Sequence, residues 1–288
     1  MKILLTGVNG QVGWELHRTL ATLGEVIAPR RAALDLANAP ALREAVRTHR
    51  PDLIVNPAAW TAVDRAESEP EAARAINAIA PAILAEESAR LGAGMIHFST
   101  DYVFDGSKTG AWREDDATAP LGVYGASKLE GEQAVLAANP ASLILRTSWV
   151  YSLRGNNFLL TMQRLFRERD HLRIVADQTG APTWARSIAE ATAQIIAQSP
   201  FTQGDRNGIY HLTCGGSVSW HGFATAILAR TPLADARTVR LEEISTPEYP
   251  TPARRPPNSV LDNGKLRTAF GIVMPDWLTA LELCLARD

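Results

Sequence analysis

Residues 2–13, KILLTGVNGQVG, decide how this chain is read. A short apolar run ends at Thr6, and glycines recur at Gly7, Gly10 and Gly13 before an amphipathic pattern begins at Gln11, with Val12, Leu16, Leu20 and Leu23 on one face. A strand that turns at once into a helix needs positive φ, close backbone approach and little bulk between helix and sheet. Glycine meets all three demands. The helix that opens there offers unpaired N–H groups and the positive end of its dipole, which suit a diphosphate. Gly7, Gly10, Gln11, Val12 and Gly13 therefore read as a dinucleotide-binding loop.

Working outward, the same alternation continues. Residues 25–28 are a second strand, 41–47 a helix, 52–56 (DLIVN) a third strand, and 71–91 a long helix irregular near Pro81. Residues 94–99 (GMIHFS) form a fourth strand, 123–138 a helix, and 142–147 (SLILRT) a fifth strand. Strands alternating with helices predict an α/β fold, a doubly wound parallel sheet covered on both faces. The expected dinucleotide-binding domain spans 1–150. After Val150 proline and glycine cluster, and helical patterns persist at 158–168, 187–198, 220–229 and 277–286. This predicts a smaller α/β substrate lobe over 151–288, part of it returning strands to the main sheet.

Composition narrows the function. The chain has 288 residues with 46% hydrophobic and 21% charged residues, an ordinary globular balance. The formal net charge of -2 implies no bulk attraction to nucleic acid or anionic membrane. No apolar run approaches the roughly 18 residues of a membrane span, and residues 1–6 are too short for a signal-peptide core. The only cysteines, Cys214 and Cys284, are no disulfide framework, so a cytoplasmic location is the expectation. His97 reads as a strand residue, and His211 and His221 show no zinc-ligand spacing.

Cofactor choice is expected at the end of the second strand, where an acid would accept from an adenosine 2′-hydroxyl and repel a 2′-phosphate. Arg30 and Arg31 stand there instead. Guanidiniums suit a phosphate dianion, which favours NADPH with NADH possible; the alternative is a solvated basic corner. Asp35 and Leu36 follow, either at the adenine edge or with Asp35 capping the helix near Pro40.

Tyr124-Gly-Ala-Ser-Lys128 places a phenol and an amine at i and i+4, on one helix face. With only four lysines in the chain, that spacing is informative. The cation is expected to lower the tyrosine pKa for acid–base work. Ser99, Thr100 and Asp101 end the fourth strand, at the sheet edge where ligands bind. A hydroxyl there can hold a carbonyl oxygen, and strand alternation lets only one of Ser99 and Thr100 face the site.

The glycine loop, the strand-end Ser-Thr-Asp and the Tyr/Lys pair resemble the extended short-chain dehydrogenase/reductase superfamily, with its Rossmann fold. Longer stretches resemble the dTDP-4-dehydrorhamnose reductases within it: 4–16, HFSTDYVFDG (97–106), VYGASKLEGE (123–132), RTSWVY (146–151), GNNF (155–158), DQTGAPT (177–183) and YPTPARRPPNS (249–259). The resemblance implies NAD(P)H-dependent reduction of dTDP-4-dehydro-β-L-rhamnose to dTDP-L-rhamnose. By similarity Tyr124 is the proton donor, Lys128 binds the nicotinamide ribose, and Thr100 rather than Ser99 holds the reacting oxygen. Asp101 and Trp149 would meet the sugar, and Ala59, Trp60 and Thr61 would cover the cofactor. Arg254 and Arg255 suit the substrate diphosphate or, alternatively, anchor their own loop.

Some relatives dimerise through magnesium held by glutamates. Glu15 matches one such position, but the others fall on Arg186 and Arg287, so no magnesium is expected. Glu15 is expected to pair with an arginine, and the protein to be a monomer or weak homodimer. Two other readings stand beside the reductase. One is an epimerase or epimerase-reductase of another nucleotide sugar; the other is a non-catalytic subunit resembling the β subunit of methionine adenosyltransferase.

Overall fold

The computed structural model describes residues 1–199, 206–233 and 238–286. Its first half runs β1 (Lys2–Leu5), α1 (Gln11–Thr19), β2 (Glu25–Ile27), α2 (Ala39–His49), β3 (Leu53–Asn56), α3 (Val63–Ser68), α4 (Pro70–Arg74), α5 (Ala80–Leu91), β4 (Gly94–Thr100), α6 (Val123–Ala138) and β5 (Leu143–Thr147). The second half runs β6 (Val150–Tyr151), α7 (Phe158–Glu168), β7 (His171–Val175), β8 (Thr179–Gly180), β9 (Thr183–Trp184), α8 (Ala185–Gln198), β10 (Gly208–His211), β11 (Val218–Ser219), α9 (Trp220–Leu228), β12 (Arg240–Ile244), α10 (Gly264–Phe270) and α11 (Trp277–Leu285).

The main sheet is parallel throughout, in the order β10-β5-β4-β3-β1-β2. Alternate side chains serve opposite faces. Ile3 and Leu5 pack with Leu16 of α1, Leu20 just after it and Ile188 of α8, while Leu4 packs with Leu42 of α2 and Leu84 of α5. Burial on both faces explains why these strands are continuous apolar runs. β2 lies on one side of β1 and β3 on the other, so the loops after β1 and β3 part company and open a crevice.

The long helix expected over 71–91 is divided. A π turn over Ala75–Ile79 separates α4 from α5. Pro81 has no N–H for the carbonyl of Asn77, and the ladder widens just before it. At α2 the cap is Asn38, not Asp35. Asn38 Oδ1 accepts the Ala41 N–H at 3.1 Å, while Asp35 Oδ1 accepts the Ala37 N–H at 3.1 Å within its own loop.

Residues after Val150 build two things. β10 joins the main sheet beside β5, and α8 and α10 cover one sheet face. The rest packs around Tyr151, Phe166, Phe223 and Leu281, with the parallel pair β7–β12 and the short pairs β6–β9 and β8–β11. Among the described residues, no helix is long and apolar enough to cross a membrane.

Candidate active site

The crevice is a cleft of about 510 Å³ over the carboxyl ends of β1, β3 and β4. Its floor is the glycine loop. Gly7 has φ +61°, and a Cβ there would lie 2.9 Å from Ala58 Cα of the loop after β3. A Cβ on Gly13 would lie 2.1 Å from the Gly7 carbonyl oxygen. α1 starts at Gln11 with no side-chain cap, leaving its first N–H groups for another acceptor. Gln11 itself is tied across the cleft mouth: its Oε1 accepts from Ser152 Oγ at 2.9 Å and Asn157 Nδ2 at 2.8 Å. Asn157 of the GNNF motif, with Ser152, thus ties the segment after β6 to the loop.

The remaining residues expected around a dinucleotide are mostly at this cleft. Val12, Arg31, Asp35, Leu36, Ala59, Trp60 and Thr61 line it. Arg31 is exposed at its rim, whereas Arg30, also exposed, is not part of the lining. The Trp60 loop is held by Asn77, whose Oδ1 accepts the Trp60 N–H at 2.8 Å and whose Nδ2 reaches Ser127 Oγ at 3.1 Å. Asn77 sits in the π turn, with no exposed surface. The cleft also contains two buried hydroxyls without partners, Ser99 Oγ and Thr147 Oγ1. Orphaned buried polar atoms, a glycine cradle and a rim guanidinium fit a phosphorylated, hydrogen-bonding cofactor.

Tyr124 and Lys128, on the first two turns of α6, both line the cleft. Gly125 makes this possible, since a Cβ there would lie 2.2 Å from the Tyr102 carbonyl oxygen. The expected lowering of the Tyr124 pKa is not found. Burial pushes it up to about 12, with Asp101 adding to the rise and the Thr100 hydroxyl partly offsetting it. Lys128 is engaged elsewhere: its Nζ donates to the Phe98 carbonyl at 2.6 Å and meets His97 Nε2 at 3.2 Å. Burial lowers Lys128 to about 8. Tyr124 is therefore protonated at neutral pH, the form a proton donor requires.

Thr100 Oγ1 accepts the Tyr102 N–H at 3.2 Å and donates to Asp101 Oδ1 at 3.0 Å. Asp101 is 2% exposed, its Oδ2 has no partner, and burial raises its pKa to about 6. Trp149 has φ +46° and stacks on Trp220 at 3.5 Å between centroids. Gly180 of the DQTGAPT motif makes room for that indole, as a Cβ there would lie 2.5 Å from Trp149 Cε2. Arg255 is committed to its surroundings, with Nη2 on Asp64 Oδ2 at 2.8 Å and Nη1 on Thr251 Oγ1 at 2.6 Å. The loop-anchoring alternative describes it. Arg254 is exposed.

Among the described residues the expected Glu15–arginine pair does not form. Arg186 bonds Glu190 at 2.8 Å, one turn along its own helix, and Glu15 makes no ion pair among the described residues. Arg287 lies outside the described residues. Among the described residues no three acidic, histidine or cysteine side chains gather as a metal-ligand set.

The sequence assigns no site role to three polar residues that support this site: Asn56, Asn77 and His97. Each interrupts an apolar run that periodicity reads as core. The signal was there, as a fully buried polar side chain must find partners, but its partners lie on other elements.

The whole chain, residues 1–288, matches the family described as RmlD substrate binding domain. It is 50% identical to a dTDP-4-dehydrorhamnose reductase of Burkholderia thailandensis, over 99% of this chain and 98% of that relative. A crystal structure of a dTDP-4-dehydrorhamnose reductase from Clostridium acetobutylicum superposes with a TM-score of 0.92 at 38% identity, covering 99% of this chain and 98% of that one. A dTDP-4-dehydrorhamnose reductase from Bacillus anthracis, in complex with NADP, gives 0.91 at 36% identity, with 98% of each chain covered.

Proposed function

Because this chain belongs to the dTDP-4-dehydrorhamnose reductase family, we propose that it reduces the C4 ketone of dTDP-4-dehydro-β-L-rhamnose, giving dTDP-L-rhamnose at the expense of NADPH. The observation that carries the reading is one cleft holding the glycine loop, Lys128 and a protonated Tyr124 beside the Thr100 hydroxyl.

When bound, the nicotinamide supplies the hydride. Gly7, Gly10, Gln11, Val12 and Gly13 hold the cofactor diphosphate, and Arg31 its 2′-phosphate. Arg30 stands off the cleft lining and lends charge at longer range. Asp35 and Leu36 meet the adenine, while Ala59, Trp60 and Thr61 close over it. Lys128 binds the nicotinamide ribose. Negative charge grows on the C4 oxygen as reduction proceeds, and donors aimed there stabilise the transition state more than the ground state. Tyr124 gives its phenolic proton to that oxygen, and Thr100 supplies the second hydrogen bond. Asp101 and Trp149 orient the sugar, and Arg254 meets the substrate diphosphate.

The protein works as a monomer or weak homodimer without bridging magnesium. Burial holds the Cys214 and Cys284 thiols up, at about 11 and 12, and such unreactive thiols suit a reducing cytoplasm.

The test is to follow NADPH, and separately NADH, with purified protein and the 4-dehydro sugar, identifying the product. Faster oxidation of NADPH with dTDP-L-rhamnose formed is the expected result. Cofactor binding without turnover would overturn it.

A further inference from the structure

The proposed mechanism assigns no task to the buried His97. His97 is in the middle of the sheet, with no exposed surface, and bridges Lys128 to the neighbouring strand. Its Nε2 is 3.2 Å from Lys128 Nζ, and its Nδ1 is 3.0 Å from Asn56 Nδ2. Asn56 Oδ1 in turn accepts from Thr6 Oγ1, whose residue lines the cofactor cleft. The register β1–β3–β4 brings these residues side by side on adjacent strands. All four side chains of the chain Thr6–Asn56–His97–Lys128 are at most 2% exposed.

The donors must be consistent along this line. An ammonium has only donors. With Asn56 Nδ2 donating to His97 Nδ1, the neutral imidazole carries its proton on Nε2 and faces a Lys128 that must be a neutral amine. A half-turn of the Asn56 amide exchanges its oxygen and nitrogen, reversing every bond. Nδ1–H then donates to Asn56 Oδ1, the amide nitrogen donates to Thr6, and Nε2 accepts from a charged Lys128.

We propose that His97 is a positioning residue that holds Lys128 in both of its charge states, with the Asn56 amide selecting the one in force. Lys128 can then gain or lose a proton inside the protein while keeping its contacts to both His97 and the Phe98 carbonyl. Its other fixed acceptor, the Phe98 carbonyl, serves in either state. The titratable neighbours do not offer a substitute. Tyr124 and Glu132 are on the same helix, and Glu132 is taken by Arg146 of β5. Asp101 is bonded by Thr100, and Tyr102 lies beside Tyr124. Beyond them, Glu67 accepts the Val123 N–H, Arg74 pairs with Glu130, and Asp64 with Arg255.

The proposal rests on the function above only for what Lys128 does, and the test avoids turnover altogether. The chain has four lysines, Lys2, Lys108, Lys128 and Lys265, so NMR of protein labelled at lysine Cε gives four signals to titrate. Lys128→Arg assigns the one that matters. In His97→Gln the amide reaches the position of Nε2, and Lys128 should titrate within about 0.3 pH unit of the parent. His97→Asn is too short, and the titration should fall by roughly one unit, because the ammonium loses an acceptor. Asn56→Asp, which can only accept, should fix the Nδ1–H arrangement and raise the titration. An unchanged Lys128 in His97→Asn, or equal falls in both His97 variants, would overturn the proposal. Should His97→Asn fail to fold, Asn56→Asp decides: an unchanged or lowered titration overturns it. A wild type that binds no NADPH would overturn the function alone.

Discussion

Glu132→Gln is expected to cost the protein a large part of its stability while leaving every group that lines the cleft in place. Glu132 is one turn beyond Lys128 on α6. Its two carboxylate oxygens accept from Arg146 Nε at 2.8 Å and Nη2 at 2.6 Å, and the side chains are 1% and 2% exposed. The pair therefore docks the helix bearing Tyr124 and Lys128 onto β5. Breaking a buried pair by removing one charge costs about 3–5 kcal/mol, because the partner stays buried and charged. Nothing nearby takes over: Arg146 Nη1 already has no partner. The Phe104 ring, 5.1 Å from the guanidinium carbon, returns only about 1 kcal/mol. The lower half of the range is the expectation. With a slope of about 3 kcal/mol per molar urea for a chain of this length, the midpoint falls by roughly 1 M. Urea titration followed by circular dichroism reads it directly. Replacing both residues by leucine should cost less than the single change, since no charge is then stranded. A loss under about 1 kcal/mol in Glu132→Gln, or a double variant worse than the single, would refute the reasoning.

Other outcomes follow from the cleft. Gly13→Ala drives a Cβ to 2.1 Å from the Gly7 carbonyl, so NADPH affinity measured by fluorescence titration should fall more than about tenfold. Arg31→Ala should cut the NADPH-over-NADH preference in kcat/KM by roughly tenfold, and Arg30→Ala by clearly less, since only Arg31 lines the cleft. Activity should decline as pH rises through about 8, where burial places Lys128. Stability from the same group runs the other way. Between about 8 and the ordinary value of 10.5 the unfolded chain holds more protons, so this group favours folding increasingly as pH rises. A pH–rate profile beside urea midpoints at pH 7.5 and 9.5 separates the two trends.

What could be read from the sequence depended on whether a residue's job was set by its own neighbours. The glycine loop was legible because its turn constraint is local, Gly13 having to clear the Gly7 carbonyl six residues back, although the crowding of Gly7 comes from Ala58 in the loop after β3. The Tyr124/Lys128 spacing was legible for the same reason, as residues four apart share one helix face. Their proton affinities were not. The i, i+4 spacing predicts that Lys128 lowers Tyr124, but burial dominates and the Lys128 Nζ is bonded to His97 and Phe98. The sequence leaves Arg255 open between a substrate diphosphate and its own loop, and only the fold brings Asp64, 191 residues earlier, beside it. Asn77 reads as helix and His97 as strand. Their polar partners come from Trp60, Ser127, Asn56 and Lys128, which only strand register and helix packing bring into contact.

The most direct test of the account is the rate of Tyr124→Phe at saturating NADPH and 4-dehydro sugar. The change deletes one hydroxyl and keeps the ring that packs against Tyr102. If Tyr124 delivers the proton to the C4 oxygen, kcat should fall by about 10²–10⁴-fold while the dissociation constant for NADPH stays within a few-fold of the parent. A kcat within about threefold of wild type would contradict the account, because another group would then be supplying the proton.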